Sequence, residues 1–230
     1  MLHKTRGIVL NYIKYKESSV IARIYTEAFG AQSYIINGVR SARSKKGLAL
    51  LQPLTLLDLV VYYNQKHESI QRLSEYKPAF TFRSIPFDIR KSTISLFMTE
   101  VLSKVLKEEE DQGHVFEFLY PLIARFDQAE DEFESIHLYM MVHLTHYIGF
   151  GIHSKSDLER DPIVTEIYTS YDQVYDTIIR LSEMPLHARI PMSNRLRTDV
   201  LNYLVRYYEL HIEGFSTLRS IHVLHQIFHR

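Results

Sequence analysis

The sequence has no cysteine, so it can form neither a disulfide framework nor a thiolate metal site, and nothing points to an oxidising compartment. Long hydrophobic runs are missing too: no stretch approaches the roughly 18 apolar residues that a membrane span needs. In the opening MLHKTRGIVLNYIKY, Lys4, Arg6 and Lys14 interrupt any signal-like core. A cytoplasmic location is the expectation. Phosphate-cradling glycine loops are missing as well. The stretch Gly30 to Gly47 lacks the Gly-Lys-Ser/Thr ending of a P-loop, and Gly149-Phe150-Gly151 has no third glycine. No nucleophile stands with a base and no paired carboxylate site is evident, so no catalytic residue, no cofactor and no enzymatic activity is expected. Internal repeats and low-complexity segments are also lacking.

Net charge is absent in sum only, since 27 Lys and Arg balance 27 Asp and Glu over 230 residues. Residues 1–80 hold 12 Lys and Arg against 5 Asp and Glu, net +7; residues 81–230 hold 15 against 22, net −7. Such asymmetry suits a front half that meets a polyanion and a back half with another task. What the chain has in quantity is apolar character, 46%, ample for a packed core in one large domain or two small ones.

From Thr5 to about Tyr76 the pattern reads as five strands, roughly Thr5–Tyr15, Val20–Thr26, Ser33–Arg40, Leu54–Tyr63 and Ile70–Tyr76, rich in Ile, Val, Leu, Thr and Tyr. Gly30 marks a tight turn, and Gly7 inside the first strand permits the bend that a small closed barrel needs. Five strands in some seventy residues fit a small OB-type barrel. After Pro78 and Pro86 the period changes. Ile94, Phe97, Met98, Val101, Leu102, Val105 and Leu106 form one apolar helical face. That helix runs into the acidic Glu108-Glu109-Glu110-Asp111 and then Gly113, and the acids sit poorly at the negative end of its dipole. Further helices are predicted over Phe116–Phe126, Phe133–Ile148, Ile163–Ser182, Asn194–Leu210 and Leu218–Phe228, broken at Gly149/Gly151, Pro185, Pro191 and Gly214. The expected fold class is therefore α+β and multidomain: an OB-fold barrel over 1–80, then an all-α domain over 81–230.

The segment Gly38-Val39-Arg40-Ser41-Ala42-Arg43-Ser44-Lys45-Lys46-Gly47 places four cations, Arg40, Arg43, Lys45 and Lys46, on one short connection. Such a loop can lie along a phosphate backbone and release condensed counterions; a merely solvated surface loop is the plain alternative. Arg6, Lys14, Lys16 and Arg23 lie on neighbouring strands, interleaved with Tyr12, Tyr15, Tyr25 and Tyr34. Cations with aromatic rings suit single strands, where bases stack and phosphates pair, although these tyrosines can equally pack the barrel. His143/His146 and His222/His225/His229 share helix faces, but without cysteine support they read as structural histidines, and no metal site is expected. The carboxylates between Glu100 and Glu134 read as a solvated acidic face rather than a cation loop.

Several phrases resemble the RecO family. KTRGIVLNYIKYKESSVIARIYTEAFG, with its Glu17-Ser18-Ser19 turn and Tyr25-Thr26 before Phe29-Gly30, is similar to the family's first hairpin. Lys45-Lys46 followed by Leu51-Gln52-Pro53-Leu54 resembles its path into the fourth strand. Arg195-Leu196 through Tyr207-Tyr208, then His211, Gly214-Phe215 and Leu218-Arg219-Ser220 resemble its closing helical segment. One departure is plain: many members carry a four-cysteine zinc site after a Leu/Ile-Gly-Phe phrase, whereas Ile148-Gly149-Phe150 is followed by Gly151-Ile152-His153-Ser154.

The resemblance implies a DNA repair and recombination mediator that binds single- and double-stranded DNA and anneals complementary strands. It also implies contact with the acidic C-terminal tail of single-stranded-DNA-binding protein, and joint work with RecR to load RecA, in the cytoplasm at the nucleoid. On this reading the barrel cations do most of the DNA binding, helped by Arg195, Arg197 and Arg219. Two other readings stand beside it: a protein-interaction adaptor using the barrel and the acidic helices, and a metal-dependent nuclease using the histidines and acids.

Overall fold

In a computed structural model of the chain, residues 1–41, 47–63, 70–106, 113–160, 163–186, 191–216 and 218–228 are described. The basic residues Arg43, Lys45 and Lys46, the acidic run Glu108–Asp111 and His229 lie outside the described residues. Two compact units emerge: residues 1–86 with 99–127, and residues 87–98 with 128–230.

The first unit is built on five strands, β1 (Leu2–Tyr15), β2 (Ser19–Thr26), β3 (Gly30–Ile36), β4 (Leu56–Tyr62) and β5 (Gln71–Pro78), closed in the order β1-β2-β3-β5-β4. All pairings are antiparallel except β3 with β5, so the expected five-stranded OB-type barrel is what the sequence forms. Side chains alternate across a strand. Val9, Val20, Ala22, Ile24, Tyr34, Ile36, Leu57, Leu59, Val61 and Leu73 therefore point inward to one core, plugged by Val39 and by Leu51 of a 3₁₀ turn, Leu48–Leu51. Gly30 turns with φ 64° as expected. Gly7 has a different task from the predicted bend. A Cβ there would meet Leu59 Cδ1 at 2.6 Å and Ile24 Cγ2 at 2.8 Å, so its bareness lets β1 pack tightly; the irregularity in β1 falls at Leu10, between Val9 and Asn11.

Outward residues of β1 and β2 are buried as well: Ile8, Leu10 and Tyr25 are at most 1% exposed. Residues 99–127 cover them, drawn from helices α1 (Ile89–Val105) and α2 (Gly113–Gln128). The Phe116 ring lies 6.0 Å from that of Tyr25, and Asn11 Nδ2 donates to Ser103 Oγ at 3.2 Å. Buried Asp127 closes α2 by accepting the backbone N–H groups of Arg83, Ser84 and Ile85 at 2.8–2.9 Å.

The second unit holds α3 (Ile136–Tyr147), α4 (Lys155–Arg160), α5 (Tyr171–Glu183), α6 (Asn194–His211) and α7 (Ser220–Phe228). Tyrosines of α6 tie it together: Tyr203 donates to Leu158 O at 2.6 Å, Tyr207 to Phe150 O at 3.2 Å and Tyr208 to Met141 O at 2.7 Å. The predicted helix Ile163–Ser182 forms only from Tyr171. Residues before it are kept out of the helix by buried Asp199, whose carboxylate accepts from Tyr168 N, Thr169 N and Thr169 Oγ1 at 3.0, 2.8 and 2.6 Å and holds these two residues in a bend. Ser170 then caps α5 by accepting from Gln173 N. Helix α4, unforeseen in the sequence, starts beneath Asp157, which accepts from His153 N and Ser154 N.

Candidate nucleic-acid interface

The sharp β1–β2 turn is made possible by Lys16, whose φ of 51° is left-handed. Arg40, arriving after β3, docks on this turn. Its backbone N–H donates to Ser18 O at 2.9 Å and its Nη1 to Lys16 O at 3.2 Å, while Ser19 Oγ bonds Asn37 Oδ1 at 3.0 Å. Lys14, Lys16 and Arg40 are all exposed, so three of the predicted cations converge at one end of the barrel. Lys16 Nζ stands 5.3 Å over the Tyr15 ring. Past Ser41 the chain is next described at Gly47, whose carbonyl accepts from Tyr76 Oη at 3.2 Å. Arg43, Lys45 and Lys46 fall between these two anchored points in sequence.

Arg6 and Arg23 are employed differently. Arg6 donates to both oxygens of Glu27, Nε at 2.9 Å and Nη2 at 2.6 Å, and to Glu117 of α2 at 2.6 Å, while its guanidinium lies 5.0–5.2 Å from the rings of Phe116 and Tyr120. The hydrogen bond to Glu27 raises the Arg6 pKa above its ordinary value and lowers that of Glu27. Arg23 Nη2 donates to Leu106 O at 3.1 Å, on the carbonyl end of α1, where a cation meets the negative pole of the helix dipole. Both arginines fasten helix to barrel. A cleft of about 560 Å³ beside Arg6, lined also by Lys4, Glu27, Asp58, Glu75 and Lys77, carries charges of both signs in matched pairs such as Lys77–Asp58 at 3.6 Å.

Of the four interleaved tyrosines, Tyr25 and Tyr34 are fully buried, Tyr12 packs against the core, and only Tyr15 reaches the surface. Two residues absent from the predicted set stand outside instead: Tyr62, 44% exposed, and Arg72, whose guanidinium lies 5.8 Å from the Tyr62 ring. The signal was available in the alternation of β4, where Val61 points inward and Tyr62 must point out.

Arg195, Arg197 and Arg219 belong to the second unit. Arg195 is exposed in the first turn of α6, and Arg219 is exposed just before α7. Arg197 is half-buried, with Nε on Ser135 Oγ at 3.2 Å and Nη1 on Asn194 Oδ1 at 2.8 Å, and burial lowers its pKa. His143 bonds Leu181 O at 2.9 Å, and its ring is 6.3 Å from that of His146. Among the described residues no group of three or more His, Asp or Glu is placed to hold a metal ion, and no helix is long and apolar enough to cross a membrane.

A closed OB-type barrel clad by its own helices, followed by a unit of helices, defines the class: an OB-fold protein with an appended all-α domain. The comparisons agree with that architecture segment by segment. The model for "Recombination protein O N terminal" matches residues 1–82, and that for "Recombination protein O C terminal" matches residues 86–220. The DNA repair protein RecO of Flavobacterium psychrophilum is 30% identical over 98% of this chain and 98% of its own. That of Bacteroides fragilis is 29% identical over 99% of this chain and its own full length. The chain belongs to the RecO family of DNA repair proteins.

Proposed function

We propose that this protein binds single- and double-stranded DNA, anneals complementary strands and, with RecR, helps load RecA onto DNA covered by single-stranded-DNA-binding protein. The observation that carries this reading is the convergence of Lys14, Lys16 and Arg40 on the β1–β2 turn, with Arg43, Lys45 and Lys46 following closely in sequence. Annealing requires two polyanions to approach, and a cationic end that displaces their counterions lowers that cost without a catalytic group. Residues 1–80 serve as the DNA-binding domain on this reading and 81–230 as the helical domain, where Arg195, Arg197 and Arg219 add phosphate contacts. No bond is made or broken, so the protein acts as a mediator rather than an enzyme, in the cytoplasm at the nucleoid. The name that these relatives share, DNA repair protein RecO, supports the setting.

The test is annealing without ATP. Complementary oligonucleotides coated with single-stranded-DNA-binding protein should form duplex faster when this protein is added. Replacing Arg40, Arg43, Lys45 and Lys46 together by Ala should slow that reaction without altering thermal unfolding much, since the Arg40 side chain gives up one exposed hydrogen bond to Lys16 O. No acceleration, together with no salt-sensitive DNA binding, would discard the reading.

A further inference from the structure

Beside the cationic turn a continuous line of outward side chains winds round the barrel. Following the pairing, Ile13 faces Ile21, Ile21 faces Ile35, Ile35 faces Arg72, Arg72 faces Tyr62 and Tyr62 faces Leu2. These residues point outward because Val20, Ile36, Leu73 and Val61, next to them in sequence, point into the core. Ile13 is 61%, Leu2 52% and Tyr62 44% exposed; Ile21 and Ile35 are half-buried and Arg72 is exposed. The flanking outward row is polar, Asn11 opposite Arg23 opposite Ser33. An exposed apolar line on such a surface marks a place where something binds.

Charge selects the occupant. The line contains no carboxylate, it carries Arg72 over the Tyr62 ring, and its Ile13 end adjoins Lys14, Tyr15, Lys16 and Arg40. Apolar contact with Lys14, Lys16, Arg40 and Arg72 beside it, against Glu17 as the carboxylate of the turn, fits unpaired bases on a phosphate backbone. Barrels of this type commonly bind oligonucleotides across strands 2 and 3. Here part of that face is taken by residues 99–127, through Tyr25 on Phe116 and Arg23 on Leu106 O. The free surface is therefore the line that continues round to β5 and β4.

We propose that this line is a base platform. Unpaired bases rest on Ile13, Ile21, Ile35 and Tyr62, phosphates meet Lys14, Lys16, Arg40 and Arg72, and the barrel consequently prefers single strands to duplex. The proposal rests on the DNA-binding reading above and adds the strand state. Five strand-to-strand steps of about 4.8 Å give a path of roughly 24 Å, comparable to the shortest stretch of about four nucleotides that one such barrel holds. A duplex keeps its bases stacked inside and offers this surface only phosphates.

The chain contains 16 tyrosines but no tryptophan, so Tyr62→Trp places a single tryptophan, excited apart from the tyrosines, on the platform. An oligothymidylate should quench its emission with the same midpoint as binding followed by anisotropy, while a duplex of equal length should bind without comparable quenching. Tyr62→Ala, at an exposed position that leaves the thermal midpoint in place, should weaken single-strand affinity about tenfold and leave duplex affinity unchanged. Tyr62→Phe should behave as the unsubstituted protein. The proposal is overturned if Tyr62→Trp is not quenched and Tyr62→Ala binds thymidylate and a base-free deoxyribose-phosphate strand equally, while salt-sensitive DNA binding persists; the DNA-binding reading then stands alone. Absence of any DNA binding by the unsubstituted protein removes both. Normal DNA affinity in Tyr62→Ala with loss of annealing only on protein-coated strands would assign the line to a protein partner and equally overturn it.

Discussion

A guanidinium with five donors can serve phosphates or carboxylates, and which it serves depends on what folds beside it. Glu117 reaches Arg6 from 111 residues away in the chain, so no local reading of β1 could have shown that Arg6 is a fastening. Arg6→Ala should lower stability by roughly 1–2 kcal/mol, allowing for partial exposure of the pair, while the salt dependence of DNA binding stays as it was. Chemical denaturation and oligonucleotide titration together check both halves of that expectation. His137 gives the pH counterpart. It is fully buried on α3, its ring edge-on to Phe97 at 5.5 Å, and burial, aided by the positive charge of Arg197, lowers its pKa to about 3. A folded-state pKa below the ordinary 6.5 means that the unfolded chain takes up the proton first. Stability is complete above pH 6.5 and falls by up to about 1.4 kcal/mol for each unit below it, down to the folded value. His143 and His146 are lowered by burial in the same direction. His137→Leu should flatten this acid-side loss, which urea midpoints between pH 4 and 7 would show.

At the level of elements, the cationic turn acts as a unit because Arg40 is bonded to it through both its backbone and its side chain. Changing Lys14, Lys16 and Arg40 together to Ala should reduce the slope of log affinity against log salt by about 2 on single strands, from roughly 0.7 for each phosphate no longer neutralised. An unchanged slope would move the binding site elsewhere. The strands and most helices were legible from period and turn residues, because each buries one face and the sequence records which. Residues 163–170 were not: Ile163, Val164 and Ile167 mimic a helical face, but the segment's backbone is claimed by Asp199, about thirty positions later. Asp199→Ala should cost about 2–3 kcal/mol by leaving those N–H groups without their carboxylate. Hydrogen exchange should show Tyr168 and Thr169 losing protection first.

Across the whole molecule, composition sets a +7 front against a −7 back, and on the barrel Lys14, Lys16 and Arg40 are exposed. What composition could not reveal is how many positive charges are already spent internally, as those of Arg6 and Arg23 are, nor that isoleucines of β1, β2 and β3 would fall in one outward line with Arg72, Tyr62 and Leu2. Both depend on pairings between segments far apart in the chain. The barrel's partnership with residues 99–127 has one further practical outcome. A fragment ending at residue 80 would keep every strand yet lay bare Ile8, Leu10 and Tyr25, and should therefore precipitate or self-associate on a sizing column. A piece extended through Asp127 restores that cover but strips Ile94, Phe97 and Met98, which are fully buried and belong to the second unit, so it should self-associate less than the shorter fragment. How short a piece of the barrel unit stays in solution is set by its cladding rather than by its last strand.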